Sequence, residues 1–176
     1  MKELESIETK NIVASRGAGL TLLGEISKSG NKAPEFTTFD NTLKEVKLSD
    51  FKGKVVILSI FPSIDTGVCA TQTRTFNKRA SELSGDVSIL TISKDLPFAL
   101  GRFCAAEGIN NLITTSDYKF SEFGLKYGFL IKENRLLARG VVVVDKDGVI
   151  RYVEYVPDII QEPDYDKAIE AIKGLI

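Results

Sequence analysis

The chain contains no histidine. A Ser-His-Asp or Cys-His nucleophile pair, a histidine-ligated haem and a Cys/His zinc site each need a residue that is missing. Cysteine is scarce as well: Cys69 and Cys104 are the only two, too few to close a four-coordinate structural zinc site. No metal or other cofactor is expected, so redox or acid–base chemistry falls to thiols, carboxylates, lysines, arginines or tyrosines. An excess of either charge is absent too. The 23 basic and 24 acidic residues leave a net charge of −1, which gives no electrostatic ground for nucleic acid or an anionic membrane as the main partner. Long apolar runs are missing. The most apolar stretches, Val55–Phe61 and Val141–Val144, are strand-length and far short of a membrane span. Met1–Lys10 is charged and lacks the apolar core of a signal peptide. The expectation is a soluble protein made in the cytoplasm, where thiols are kept reduced and a cysteine pair reads as free, catalytic or redox-sensing rather than as a permanent staple.

What is present fits one globular domain over the whole chain, residues 1–176, since a chain of that size with 43% hydrophobic and 27% charged residues buries a real core. Ile12–Ser15 and Leu20–Leu23 are extended runs joined by Arg16-Gly17-Ala18-Gly19, which predicts an N-terminal hairpin at about 10–24. Ser27–Pro34 is a polar loop and Phe36–Phe39 a short strand. The turn Leu48–Lys54 launches the first strong strand, Val55–Ile60. The loop Phe61–Val68 then leads to a helix from about Cys69 to Leu83, whose Phe76, Ala80 and Leu83 recur every three to four residues. Val87–Ile92 is a second core strand. A helix opened by Pro97 runs to about Glu107 and is closed by Gly108. Leu112–Thr115 reads as strand and Phe120–Lys126 as a short helix. Leu137–Val144 and Val149–Tyr155 flank the hairpin turn Asp145-Lys146-Asp147-Gly148, and an amphipathic helix over Tyr165–Leu175 is entered through Pro163-Asp164. This order predicts an α/β protein of the thioredoxin-like kind: a mixed central sheet flanked by helices, with the N-terminal β-hairpin as an extension.

The chemistry points to Cys69. It stands at the start of a helix that follows a buried strand, where unpaired backbone N–H groups and the helix dipole favour a thiolate. Thr66 lies three residues earlier, within reach of the sulfur across one turn, and Pro62 stiffens the loop and screens one side of the thiol. Residue type alone leaves the other reading open, because an intracellular cysteine is most often a small buried hydrophobe.

The stretch Pro62-Ser63-Ile64-Asp65-Thr66-Gly67-Val68-Cys69 resembles the P-x-x-x-T-x-x-C motif of peroxiredoxins. The longer segment FPSIDTGVCATQTRTFN (Phe61–Asn77) is similar to the active-site segment of the bacterial thiol peroxidases, the atypical two-cysteine subfamily. The likeness covers nearly the whole chain, including Gly30–Phe36, Leu48–Lys54, Ile92–Ala99, Arg102–Ile109, Leu136–Asp145 and Val156–Ile169. The resemblance implies that Cys69 is the peroxidatic cysteine and Cys104 the resolving one. It also implies that Thr66 hydrogen-bonds the thiolate and the peroxide, that Pro62 shields the sulfur, and that Arg139 stabilises the thiolate and orients the peroxide. By itself Arg139 reads as an ion-pair residue, although it interrupts an apolar strand pattern and so needs a partner or a function. Asp65 matches the family's usual acidic residue and is expected only to cap the loop. Gly67 departs from the pattern, which commonly has proline there; glycine loosens the turn, eases local unfolding around Cys69 and favours disulfide formation.

A thiol of pKa ~8.5 is only about 3% thiolate at pH 7, so full ionisation gains roughly thirtyfold, at most ~2 kcal/mol. The rest of an enzymatic acceleration must come from aligning the peroxide and stabilising the departing oxygen. Thr66, Arg139 and the N–H groups of the helix start are the groups available. The resemblance implies a Cys69 sulfenic acid, an intramolecular Cys69–Cys104 disulfide formed after local unfolding of both helices, thioredoxin as reductant and a homodimer. Two other functions compete. A thioredoxin-type disulfide oxidoreductase is disfavoured because no C-x-x-C exists; Ala70, Thr71 and Gln72 follow Cys69. A non-catalytic thioredoxin-like binding module would be indifferent to replacement of Cys69.

Overall fold

Val55–Ile60 is apolar except for Ser59, and four of its six residues are β-branched, the pattern of a strand covered on both faces. In the computed structural model, which describes residues 1–83 and 85–176, all six of these residues are buried. The elements in chain order are α1 (Lys2–Glu5), β1 (Glu8–Ser15), β2 (Ala18–Leu23), β3 (Thr37–Phe39), β4 (Glu45–Lys47), a 3₁₀ turn (Leu48–Phe51), β5 (Val55–Ile60), α2 (Gly67–Ala80), β6 (Val87–Ser93), α3 (Pro97–Glu107), β7 (Ile113–Ser116), α4 (Glu122–Lys126), β8 (Leu130–Ile131), β9 (Gly140–Val144), β10 (Ile150–Tyr155) and α5 (Tyr165–Lys173).

Seven strands form the central sheet in the order β10-β9-β5-β6-β7-β3-β4. β5, β6 and β7 run parallel, while β9 and β10 on one side and β3 and β4 on the other are antiparallel to their neighbours. The sheet is therefore mixed, with helices on its flanks, as the strand–helix order predicts. Side chains alternate across it. Val55 and Ile57 of β5, with Val141 and Val143 of β9, pack under Phe76 of α2 and Ala168 and Ile172 of α5. Val56, Leu58, Ile60, Val142 and Val144 face the opposite core with Phe36, Phe123, Tyr127 and Phe129. Each of the Val, Leu, Ile and Phe side chains contributes about 1.5–3 kcal/mol on burial.

The N-terminal hairpin is longer than expected, starting at Glu8, and β8 joins it in a second, three-stranded antiparallel sheet. α1, β4 and β8 are too short to carry a periodicity and are additions to the sequence reading. α3 matches its expected span: Pro97 is in its first turn and Gly108 ends it in the left-handed conformation at φ 64°. α2 stops at Ala80 rather than Leu83 and begins at Gly67 rather than Cys69. The strand expected from Leu137 begins only at Gly140, because Leu137 makes an isolated bridge to Leu130 and the Ala138 N–H bonds to the Phe129 carbonyl instead of a ladder partner. No helix among the described residues is long and apolar enough to cross a membrane.

Candidate active site

At Ile60 the chain leaves the C-terminal edge of β5. Phe61 and Ile64 of the following loop are buried with Cys69 and Leu100, and Phe103 packs against this cluster. Thr66 is the N-cap of α2: its backbone is extended (φ −97°, ψ 144°) and Oγ1 accepts the Cys69 N–H at 3.4 Å. Cys69 is therefore the third helical residue, and Gly67 opens the helix instead of belonging to the loop. Asp65 does not cap; its side chain is exposed and accepts no hydrogen bond among the described residues. The Thr66 hydroxyl also donates to Cys69 Sγ at 2.7 Å. Cys69 has no exposed surface, whereas Asp65, Thr66 and Gly67 are exposed. Pro62 is buried in the loop.

Arg139 also reaches the sulfur. β9 pairs with β5 with Gly140 opposite Ile60, so Arg139 and the Phe61 loop leave the sheet at adjacent points. A Cβ at Gly140 would sit 2.1 Å from the Glu154 carbonyl oxygen and 2.6 Å from the Phe129 ring, so only glycine lets β9 enter the sheet here. The Arg139 side chain is 1% exposed and heads the fully buried side chains by volume. Its Nε donates to the Ile159 carbonyl at 2.8 Å, Nη1 to Gln72 Oε1 at 2.6 Å and Nη2 to Cys69 Sγ at 3.2 Å. These partners are a carbonyl, an amide oxygen and a sulfur; none is a carboxylate. A buried cation without a counter-charge is costly, and of these three partners only the Cys69 sulfur is of a kind that can become an anion.

Gln72 is the residue that sequence reasoning missed. It is fully buried, and its Nε2 donates to Ser59 Oγ at 2.8 Å and to the Ile60 carbonyl at 3.2 Å. The amide thus ties α2 to the end of β5 and presents Oε1 to Arg139. A signal was available: Cys69, Gln72, Thr73 and Phe76 share the buried stripe of α2, and an amide on such a stripe needs partners.

Cys104 sits in the second half of α3, partly buried, with Sγ 3.5 Å from Thr114 Oγ1 of β7. Burial pushes its thiol up, and the Thr114 contact offsets part of that. Both cysteines are free. Thr66, Cys69 and Arg139 are brought together; Cys104 is not bonded to any of them. α2 and α3 are nonetheless neighbours. Arg74 forms a two-pronged pair with Glu107 at 2.8 and 2.9 Å, and Asn77 Oδ1 accepts the N–H groups of Asn110 and Asn111. Among the described residues there is no group of three or more His, Cys, Asp or Glu placed to hold a metal ion.

The family model described as Redoxin matches residues 28–169. The thiol peroxidase of Bacillus subtilis (strain 168) is 50% identical over 164 residues, 93% of this chain and 98% of that protein. The thiol peroxidase of Listeria innocua serovar 6a is 53% identical over 154 residues, 88% of this chain and 93% of that protein. Among solved structures, a peroxiredoxin-like protein from Aquifex aeolicus aligns with a TM-score of 0.89 at 37% identity, covering 96% of this chain and 99% of that one. With this fold, and with Cys69 held between Thr66 and Arg139, the chain belongs to the redoxin family and, within it, to the thiol peroxidases.

Proposed function

We propose that the chain is a thiol-specific peroxidase in which Cys69 reduces hydrogen peroxide and organic hydroperoxides. The observation that carries this reading is the buried Arg139 guanidinium, which has no carboxylate partner and lies 3.2 Å from Cys69 Sγ. The thiolate attacks one peroxide oxygen. The S–O bond forms as the O–O bond breaks, and the departing oxygen takes a proton to leave as water or an alcohol. Sulfur is oxidised to a sulfenic acid. Thr66 and Arg139 act as catalytic donors that align the peroxide and stabilise charge on the leaving oxygen, while Pro62 shields the sulfur.

Cys104 then attacks the sulfenic sulfur; the S–S bond forms, the S–O bond breaks and water leaves. A disulfide needs the sulfurs about 2.05 Å apart. Cys69 must therefore leave Thr66 and Arg139, and Cys104 must leave Thr114, which requires local unwinding of α2 and α3. A dithiol reductant, thioredoxin in this reading, restores both thiols. The chain acts as one domain in the cytoplasm, as a homodimer with both cysteines in each subunit.

Mass spectrometry after one equivalent of peroxide tests the scheme on the wild type and Cys104→Ser. A 69–104 disulfide in the first and a sulfenic acid on Cys69 in the second are expected. Oxidation falling first on Cys104 overturns the roles.

A further inference from the structure

Asp95 stands between β6 and α3, two residues before the Pro97 that opens the cysteine-bearing helix. Its carboxylate accepts three hydrogen bonds. Oδ1 takes one from Ser63 Oγ at 2.7 Å; Oδ2 takes one from the Ile64 N–H and one from Ser93 Oγ, both at 2.7 Å. All three donors are neutral, and none of these contacts is an ion pair. Two of them come from the loop that ends at Thr66. Lys94, its chain neighbour, turns away to the carbonyls of Asp117 and Tyr118 and to Ser121 Oγ. The residue itself is fixed, because the Ser116 hydroxyl donates to the Asp95 carbonyl and the Asp95 N–H donates to Ser93 Oγ.

The path continues to the sulfur. Ser63, gripped through its side chain, accepts the Thr66 N–H on its carbonyl at 3.1 Å. Thr66 Oγ1 then donates to Cys69 Sγ at 2.7 Å. Bonds from neutral donors to a carboxylate are short and roughly twice as strong as neutral pairs, so the first half of the loop is held firmly.

We propose that Asp95 is a positioning residue for the peroxide step: through Ser63 and Ile64 it fixes the loop that holds the Thr66 hydroxyl against Cys69. The proposal rests on the reading of Cys69 as the peroxide-attacking thiol. It predicts that the carboxylate matters to the rate of sulfur oxidation through Thr66 and not through a contact of its own with the peroxide.

The test is a double-mutant cycle in a Cys104→Ala background, reading the second-order rate of Cys69 sulfenic acid formation by trapping and mass spectrometry. Asp95→Ala is expected to slow this step about tenfold. Asp95→Asn keeps an acceptor oxygen for the loop and is expected to stay within about threefold of the parent. Thr66→Val combined with Asp95→Ala is expected to be no slower than Thr66→Val alone, since the two act in series. Should Asp95→Ala fail to fold, Ser63→Ala takes its place in the cycle, with the same non-additivity expected. A rate unchanged by Asp95→Ala, or losses that simply multiply with those of Thr66→Val, overturns the proposal while leaving the peroxidase reading intact. Failure of the parent to form a sulfenic acid on Cys69 overturns the peroxidase reading itself.

Discussion

Arg139 Nη1 and Gln72 Oε1 lie 2.6 Å apart in a space closed to solvent, and the other arm of the same guanidinium faces Cys69. The amide and the Ile159 carbonyl together set the plane of the fork, so the direction of Nη2 toward the sulfur depends in part on Gln72. Gln72→Leu leaves Nη1 and Ser59 Oγ without their partner. It is expected to destabilise the reduced protein by about 1–3 kcal/mol and to slow Cys69 oxidation at least tenfold. Arg139→Lys is expected to slow it more, because one ammonium cannot serve Ile159, Gln72 and the sulfur in a fixed plane. Urea unfolding and rapid-quench measurement of peroxide consumption check both. Wild-type rates in Gln72→Leu would remove Gln72 from the site.

Gly67 is placed to accept proline. It is the first residue of α2, a position where proline is favoured. Thr66 before it already has the extended backbone that proline demands of its predecessor, and a Cβ at residue 67 meets nothing within 4 Å. Gly67→Pro is expected to stabilise the reduced form by roughly 0.4–1 kcal/mol through the unfolded chain. It is also expected to slow the Cys69–Cys104 disulfide step severalfold, since α2 must unwind from this end. Chemical denaturation and the rate of disulfide appearance measure the two effects. If neither changes, glycine here has no part in local unfolding.

Much of this site is legible in the sequence, and the reasons are local. A cap followed three residues later by its cysteine is a one-turn relationship, so the Thr66–Cys69 contact follows from spacing. The Pro97 start and Gly108 end of α3 follow from proline's fixed φ and glycine's left-handed freedom. What spacing cannot carry is register across the sheet. Arg139 looks like a charge inside a strand, because Leu136–Val144 is apolar around it; pairing of Gly140 with Ile60 is what delivers it to the sulfur. The pairing of Gln72 with Arg139 and of Asp95 with Ser63 escapes for the same reason: these partners lie 67 and 32 residues away. Cys104 is recognisable only through the resemblance, as nothing in its own helix separates it from a core cysteine.

Asp117 gives the protein a stability term that grows toward acid. It is 1% exposed, and its carboxylate accepts the N–H groups of Phe123 and Gly124 at the start of α4. Burial raises its pKa from 3.8 to about 6, although these bonds and Lys94 pull the other way. A carboxyl whose folded pKa is raised contributes stability in full below its unfolded value. That contribution is lost as pH rises through the folded one, here between about pH 4 and pH 6. Relative to Asp117→Asn, the wild type is therefore expected to lose about 2–3 kcal/mol between pH 4 and pH 7. Urea unfolding of both proteins at pH 4, 5 and 7 measures the difference. A difference that stays constant, or moves in favour of the wild type as pH rises, contradicts the assignment.

The Arg74–Glu107 pair lies just C-terminal to both cysteines: five residues beyond Cys69 on α2 and three beyond Cys104 on α3. It clamps the two helices one turn beyond Cys69 on α2 and in the last turn of α3, the turn that also holds Cys104. The Asn77 contacts to Asn110 and Asn111 lie further along the same seam. A clamp of this kind limits how far the freed cysteines separate and so raises their effective concentration. Both partners are substantially exposed, with side-chain exposures of 48% and 34%, so the effect is bounded at a few-fold and weakens with salt. Arg74→Glu and Glu107→Arg are each expected to slow the disulfide step about threefold without changing the rate of Cys69 oxidation, and the charge-swapped double variant is expected to restore it. The wild-type advantage should shrink in about 0.5 M salt. Rapid quench with mass spectrometry separates the two steps. Faster disulfide formation in the single variants would make the pair a brake on unwinding instead of a tether.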